Sequence, residues 1–386
     1  MKKAIQHITD RRNHPDKNQG ILSGIRGLDN VYYGFVPGTF TVITGMIGGG
    51  KTTLMLNIAF NAAKAGYSVL YVSMEKEAVP MFERLLAMHA MVDYNRIRRG
   101  GNTEHGLNDY YYNKLIEASK DLRERVKPNF ECIQTVQGTK ISKIIADVEQ
   151  VRAVKKIDLL VVDYLGVIGH EVHYSSRPDL DLADSSQKLQ AFGRRNRIAV
   201  ITALQLKNQS TKEIRGKTKK VSSDSEASSI EVNTEDMAGS QKVIADADNC
   251  IGCVMSQEKP PTKIYCYITK ARDTEGFRLI PLDFDGRTGR ITDPEEDPNQ
   301  IKTIDDLIYN QELSSKVMSE DDLFGAKSTS STTTKPEFLS KDTNVDDIID
   351  EFQNKDDKGK KESTDKKGSP KDDLDDLIFD PMDVIS

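Results

Sequence analysis

The chain has 386 residues, enough for one large domain or two ordinary ones, and its net charge of −6 is unevenly spread. Residues 293–386 carry 26 acidic and 12 basic residues, whereas residues 1–292 carry 34 acidic and 42 basic, so an acidic tail follows a basic body. Four cysteines without a second pair or His cluster at zinc spacing argue against a metal site, and a charged N-terminus with no apolar segment behind it, together with the lack of any apolar run of bilayer length, argues against a membrane protein. A soluble, cytoplasmic protein is expected. The basic body points to a polyanionic partner.

The first predicted strand is 39–44, followed by a glycine turn and a helix over 52–65. A second strand, 67–73, leads into a helix running through residue 91. Residues 109–126 read as a charged helix, 130–135 as a short strand and 142–155 as a helix. A nearly unbroken apolar strand, 157–163, precedes a helix at 184–197 and another strand at 198–204. Continuous apolar strands alternating with helices predict an α/β fold with a mostly parallel central sheet flanked by helices.

Beyond residue 206 the texture changes. Residues 207–220 are basic and 221–235 are rich in Ser, Asp and Glu, so 207–240 is expected to be a mobile loop. Residues 246–255 and 263–272, separated by Pro260 and Pro261, predict an antiparallel hairpin, with a further strand at 277–284 and a turn at 286–289. Cys250 and Cys253 form a Cys-x-x-Cys pair, but they sit in an apolar run that reads as a buried strand, which favours packing over redox or metal chemistry. The folded body is expected over 22–292, after an N-terminal segment 1–21. The tail, 293–386, is too polar to offset its ordering entropy and is expected to be disordered.

The strongest chemical signal is Gly45-Met-Ile-Gly48-Gly49-Gly50-Lys51-Thr52, set between a strand and a helix. Glycines let consecutive backbone N–H groups converge on phosphate oxygens, Lys51 reaches the outer phosphates, and Thr52 holds magnesium, with Thr53 beside it. Asp163 ends the apolar strand across the sheet, where a carboxylate would bind the magnesium of a nucleotide such as ATP; Asp158, at the strand's start, would lie at the wrong edge. Glu75, past the second strand, projects toward the same crevice as a group to orient attacking water, or else is a solvated helix start. Gln205 ends another strand and is a candidate phosphate sensor. Lys270 and Arg272 stand two apart on one strand face, either as a solvated edge or as cations offered to a neighbour's nucleotide.

Together these segments resemble the C-terminal motor domain of the DnaB-type replicative helicases, a RecA-like P-loop NTPase family. The resemblance runs from Ser23-Gly-Ile-Arg-Gly-Leu-Asp29 and Gly34-Phe-Val-Pro-Gly38 through the glycine turn to Val72-Ser-Met-Glu75 with Arg84 nine residues on. It continues at Asp158-Leu-Leu-Val-Val-Asp163, Ala203-Leu-Gln205, Asp236 followed by Asp246-Ala-Asp248, and Lys270-Ala-Arg272, covering roughly residues 22–285. It implies an ATP-dependent helicase that forms a ring, usually a homo-hexamer, with nucleotide sites between protomers and central loops gripping single-stranded DNA. It also implies Glu75 as the water-orienting base, Gln205 as phosphate sensor, Lys270 and Arg272 as the pair inserted into the neighbouring site, and Arg84 among the nucleotide-contacting residues.

Two departures stand out. Only about twenty residues precede the resemblance, so the family's helical collar is not expected, and ring closure would fall to the N-terminal segment, the motor interface or a partner. Where the family carries Asp-Leu-Arg-Glu-Ser-Gly, this chain reads Asp236-Met-Ala-Gly-Ser240-Gln, so DNA contact would pass to Ser240 and Lys242 or to Lys207, Lys212, Arg215, Lys217, Lys219 and Lys220. A collar-less motor fits a phage-encoded replication module. Acidic-apolar clusters in the tail, the last at 372–379, are expected to dock a primase, polymerase, single-strand-binding protein or loader. The competing readings are a RecA-like recombinase or remodelling ATPase and, against the presence of Glu75 and Asp163, a nucleotide-switch adaptor.

Overall fold

The computed structural model describes residues 1–13, 20–75, 77–169, 171, 178–205, 241–256, 258–272 and 278–294. Its sheet has nine strands in the order β3-β2-β4-β5-β1-β6-β7-β8-β9. These are β1 (Phe40–Gly45), β2 (Val69–Ser73), β3 (Phe130–Gln134), β4 (Leu159–Asp163), β5 (Ala199–Gln205), β6 (Asn249–Met255), β7 (Lys263–Ala271), β8 (Arg278–Asp285) and β9 (Arg290–Thr292). The strands from β3 to β6 pair in parallel, and β7, β8 and β9 continue the sheet antiparallel, as the α/β reading expected.

The parallel strands are apolar on both sides because both sides are covered. Leu159 and Val161 of β4 enter one core, whereas Leu160 and Val162 enter the other. The first core is closed by α3 (Lys51–Lys64), with Leu54, Met55 and Ile58, and by α4 (Ala78–Ala90), with Met81 and Leu85. The second is closed by α7 (Ile141–Val154), with Ile144 and Val148, and by α8 (Pro178–Asn196), with Leu189 and Phe192. Each such aliphatic or aromatic side chain contributes about 1.5–3 kcal/mol when fully withdrawn from water. This two-sided burial holds the strand ends in register.

Several short elements lay below the reach of sequence pattern. They are α1 (Lys2–Asn13), α2 (Arg26–Tyr32), α5 (Tyr94–Arg99), α9 (Gln241–Asp246) and β9. Two helices are capped in the ordinary way. Asp93 accepts a hydrogen bond from Asn95 N at 2.8 Å before α5, and Asn108 from Tyr111 N at 3.1 Å before α6 (Asp109–Arg125). The 246–255 and 263–272 hairpin forms as β6 and β7, with an irregularity opposite Cys250 and Ile251 that leaves Thr269 out of register. Cys250 and Cys253 are buried in β6. No helix among the described residues is long and apolar enough to cross a membrane.

Candidate nucleotide-binding site

β1 ends at Gly45, and the chain turns through Gly48 and Gly50, at φ 70° and 93°, into α3. A helix leaves its first N–H groups without intrahelical acceptors, and here the N-cap is Gly50, with no side chain to supply one. Those amides and the helix dipole are therefore directed at whatever anion enters the turn. Glycine is needed at Gly45 for a second reason: a Cβ there would lie 2.5 Å from the backbone oxygen of Cys253, its partner across β6. Cys253 adds a contact of its own, donating its thiol to Gly49 O at 3.1 Å.

The turn opens into a cleft of about 390 Å³ lined by Ile47, Gly48, Gly49, Gly50, Lys51, Thr52, Thr53, Glu75, Asp163, Tyr164, Gln205 and Met255. Four strand ends meet there. Gly45 pairs with Gln205 in the β1–β5 ladder, and Ser73, two residues before Glu75, pairs with Asp163 in the β2–β4 ladder. Parallel strands share one carboxyl edge, so residues as far apart in sequence as Ile47 and Met255 arrive in one crevice. Asp158, at the other end of that run, accepts from Ser68 N at 3.0 Å, away from the cleft, as expected.

Lys51 Nζ donates to Gly45 O at 3.1 Å and to Met46 O at 2.7 Å, which holds the ammonium under the turn. Burial lowers its pKa, an effect opposed by the nearby Cys253, Asp163 and Glu75. Asp163 is 3 % exposed and accepts from Thr52 Oγ1 at 3.3 Å and from Tyr71 OH at 3.0 Å. Burial, then the charge of Asp163, pushes the Tyr71 phenol well above its ordinary pKa, so it remains a donor. The hydroxyl of Thr52 and the carboxylate of Asp163 are hard oxygen donors of the kind that magnesium takes. Among the described residues no group of three or more His, Cys, Asp or Glu is gathered as a metal site.

The remaining expected site residues lie elsewhere. The guanidinium of Arg84 sits 5.3 Å from the centre of the Tyr94 ring and does not line the cleft. Lys270 and Arg272 are at the opposite edge of the sheet, because β7 runs antiparallel: Lys270 is level with Cys250 and Ala271 with Asn249, near the start of β1, whereas Gly45 is level with Cys253. Within one chain they are remote from the cleft. Lys242 is exposed on α9, and Lys207, Lys212, Arg215, Lys217, Lys219, Lys220 and Ser240 lie outside the described residues, as do residues 295–386 of the tail; Asp293, at the tail's start, accepts from Arg26 N at 2.7 Å and from Gly27 N at 2.8 Å. Sequence reasoning missed Tyr71, Cys253, Tyr164 and Met255. Tyr71 in particular looks like any other apolar strand residue until the β2–β4 register is known.

Residues 20–291 match the family model of the DnaB-like helicase C terminal domain. The chain belongs to that family. Its DnaB-like domain is 28% identical over 219 residues to "Replicative DNA helicase DnaB" of Haemophilus influenzae, covering 56% of this chain and 45% of that protein. It is 24% identical over 204 residues to "Replicative DNA helicase DnaC" of Bacillus subtilis, covering 53% and 43%. This chain thus spans less than half the length of these relatives. Among solved structures, one described as an ATPase domain superposes with a TM-score of 0.62 at 20% identity, over 76% of this chain and 98% of that one. A second, titled "The Structure Of A DnaB-Like Replicative Helicase And Its Interactions With Primase", gives 0.61 at 20% identity, over 76% and 67%. The shared DnaB-like fold is that of a helicase ATPase domain, as the sequence resemblance implied.

Proposed function

We propose that this DnaB-like domain is the motor of a replicative DNA helicase, hydrolysing ATP with magnesium to move along single-stranded DNA and separate the duplex at a fork. The observation that carries the reading is the division of chemistry between two sheet edges. The glycine turn, Thr52, Asp163, Glu75 and Gln205 share the carboxyl edge, while Lys270 and Arg272 sit at the other. Such a division suits protomers arranged head to tail in a closed ring, ordinarily of six, where one subunit's Arg272 completes the next subunit's site. Thr52 and Asp163 would hold the magnesium, which when bound neutralises charge developing on the phosphates. Glu75 orients the water and Gln205 registers loss of the terminal phosphate. Lys207, Lys212, Arg215, Lys217, Lys219, Lys220, Ser240 and Lys242 are the candidates for the strand's phosphates.

The test is unwinding of forked DNA with ATP and magnesium beside Lys51→Ala. Strand separation lost in the variant supports the motor reading. DNA-stimulated hydrolysis with no separation, with or without a loader, would move the assignment to a recombinase or remodelling ATPase. The acidic-apolar segments of the tail are proposed to recruit a primase or another replication protein in the cytoplasm. Capture of primase should then be lost on deleting residues 365–386, and unchanged capture refutes the tail's role.

A further inference from the structure

Lys270 and Arg272 are both anchored to the corner that joins α9 to β6. Lys270 Nζ donates to Ile244 O at 3.1 Å and also to Ala245 O, and Arg272 Nη1 donates to Asp248 Oδ1. The same Oδ1 accepts from Arg194 Nη2 of α8 at 3.0 Å. The other oxygen, Oδ2, accepts from Phe40 N at 2.9 Å, and Asp248 N donates to Phe40 O at 2.9 Å. Asp248 is therefore fastened at three points to the first residue of β1 and to α8, and it is only 4 % exposed.

A carboxylate buried to that degree is strongly disfavoured unless it is paired, and capping Phe40 N needs no charge because an amide oxygen would serve. Its charge is matched by two arginines whose side chains are about half exposed, 46% for Arg194 and 54% for Arg272. An unrestrained arginine loses rotamer entropy when it is fixed. Part of that loss is met in advance for Arg272.

We propose that Asp248 is a positioning residue that holds Arg272 in reach of the neighbouring protomer's nucleotide, an inference that rests on the trans-acting reading of Arg272. β1 begins at Phe40, bonded to Asp248, and ends at Gly45, where the phosphate turn starts. These points are five residue steps apart, about 16 Å at 3.3 Å per residue. One strand, buried on both faces, thus runs from the phosphate turn of a protomer to the residue that anchors the cation it offers to the next.

The test uses the full chain and three readouts: DNA-stimulated hydrolysis, binding of a fluorescent ATP analogue, and the thermal midpoint. Asp248→Asn keeps an oxygen for Phe40 N and removes the charge. It should lower kcat by about a hundredfold, the scale on which a misplaced catalytic group acts, while nucleotide affinity stays within about twofold. Asp248→Glu, which restores the charge, should recover part of the loss. In an Arg272→Ala background the Asn substitution should add no further loss.

Mixing completes the test. Asp248→Asn subunits retain an intact phosphate turn and Lys51→Ala subunits retain an intact Arg272, so mixtures should exceed the summed activity of the separate proteins. Normal turnover in Asp248→Asn beside an impaired Arg272→Ala overturns the positioning role alone. Losses that add in the double variant, or no gain on mixing when Arg272→Ala does gain with Lys51→Ala, overturn it too by marking a structural defect. Normal turnover in Arg272→Ala overturns the trans-acting reading and the positioning role with it.

Discussion

Tyr71 donates its buried hydroxyl to Asp163 Oδ2 at 3.0 Å, from the strand next to the one that carries the carboxylate. Asp163 Oδ1 faces Thr52, so the two oxygens are oriented from opposite sides by two hydroxyl groups. The phenol, stacked against Phe130 with ring centroids 6.3 Å apart, cannot turn away to another partner without disturbing the core.

Tyr71→Phe should therefore preserve the fold and disturb the carboxylate. A hydrogen bond to a charged group contributes about 1.5–3 kcal/mol, and part of that appears as looser positioning of Asp163. The magnesium concentration for half-maximal ATP hydrolysis should rise about tenfold, the equivalent of roughly 1.4 kcal/mol, with little change in turnover at saturating magnesium. A magnesium titration that superposes on the wild type would show that the hydroxyl does not orient Asp163.

Two glycines flanking α3 separate backbone strain from crowding. Gly50 and Gly66 both lie at positive φ, 93° and 89°, so alanine at either costs about 1–2 kcal/mol of stability. A Cβ on Gly50 would also come within 2.5 Å of Ile264 Cδ1, whereas one on Gly66 would meet nothing within 4 Å. Denaturant unfolding should show Gly50→Ala as the more destabilised, and nucleotide titration should show weakened binding in that variant alone. Equal affinities in the two variants would contradict the role given to the turn.

Lys51 sets a pH dependence whose sign differs between stability and binding. Burial lowers its folded-state pKa below the ordinary 10.5, so as pH rises past the folded value the cost of the buried ammonium is relieved and its contribution to stability improves. Polyphosphate needs the charged form, so affinity should fall over the same range. Nucleotide titrations from neutral pH up to 10.5 should show that decline, and Lys51→Arg, which does not deprotonate there, should lack it. An identical alkaline decline in both proteins would place its origin elsewhere.

The sequence by itself determined the α/β class, the phosphate turn, the family and the residues that end β2, β4, β5 and β6. These are local or periodic signals: a glycine run between a strand and a helix, and an apolar run closing on Asp163 or Gln205, carry their meaning within a few residues. Glu75, Asp163 and Gln205 were legible as one site because parallel strands place their ends at a common edge. Arg84 was carried by resemblance, and its guanidinium lies over Tyr94.

Apart from the β6–β7 hairpin, tertiary structure decided which strand lies beside which, and with it everything that depends on those neighbours. The β2–β4 pairing turns Tyr71 from a core residue into a donor for Asp163, and the β1–β6 pairing sets Cys253 against the phosphate turn. The antiparallel course of β7 sends Lys270 and Arg272 to the far edge, where Asp248, 24 residues earlier, receives Arg272. Register and side-chain partners arise from packing across long sequence separations, which leaves no periodic trace in the chain.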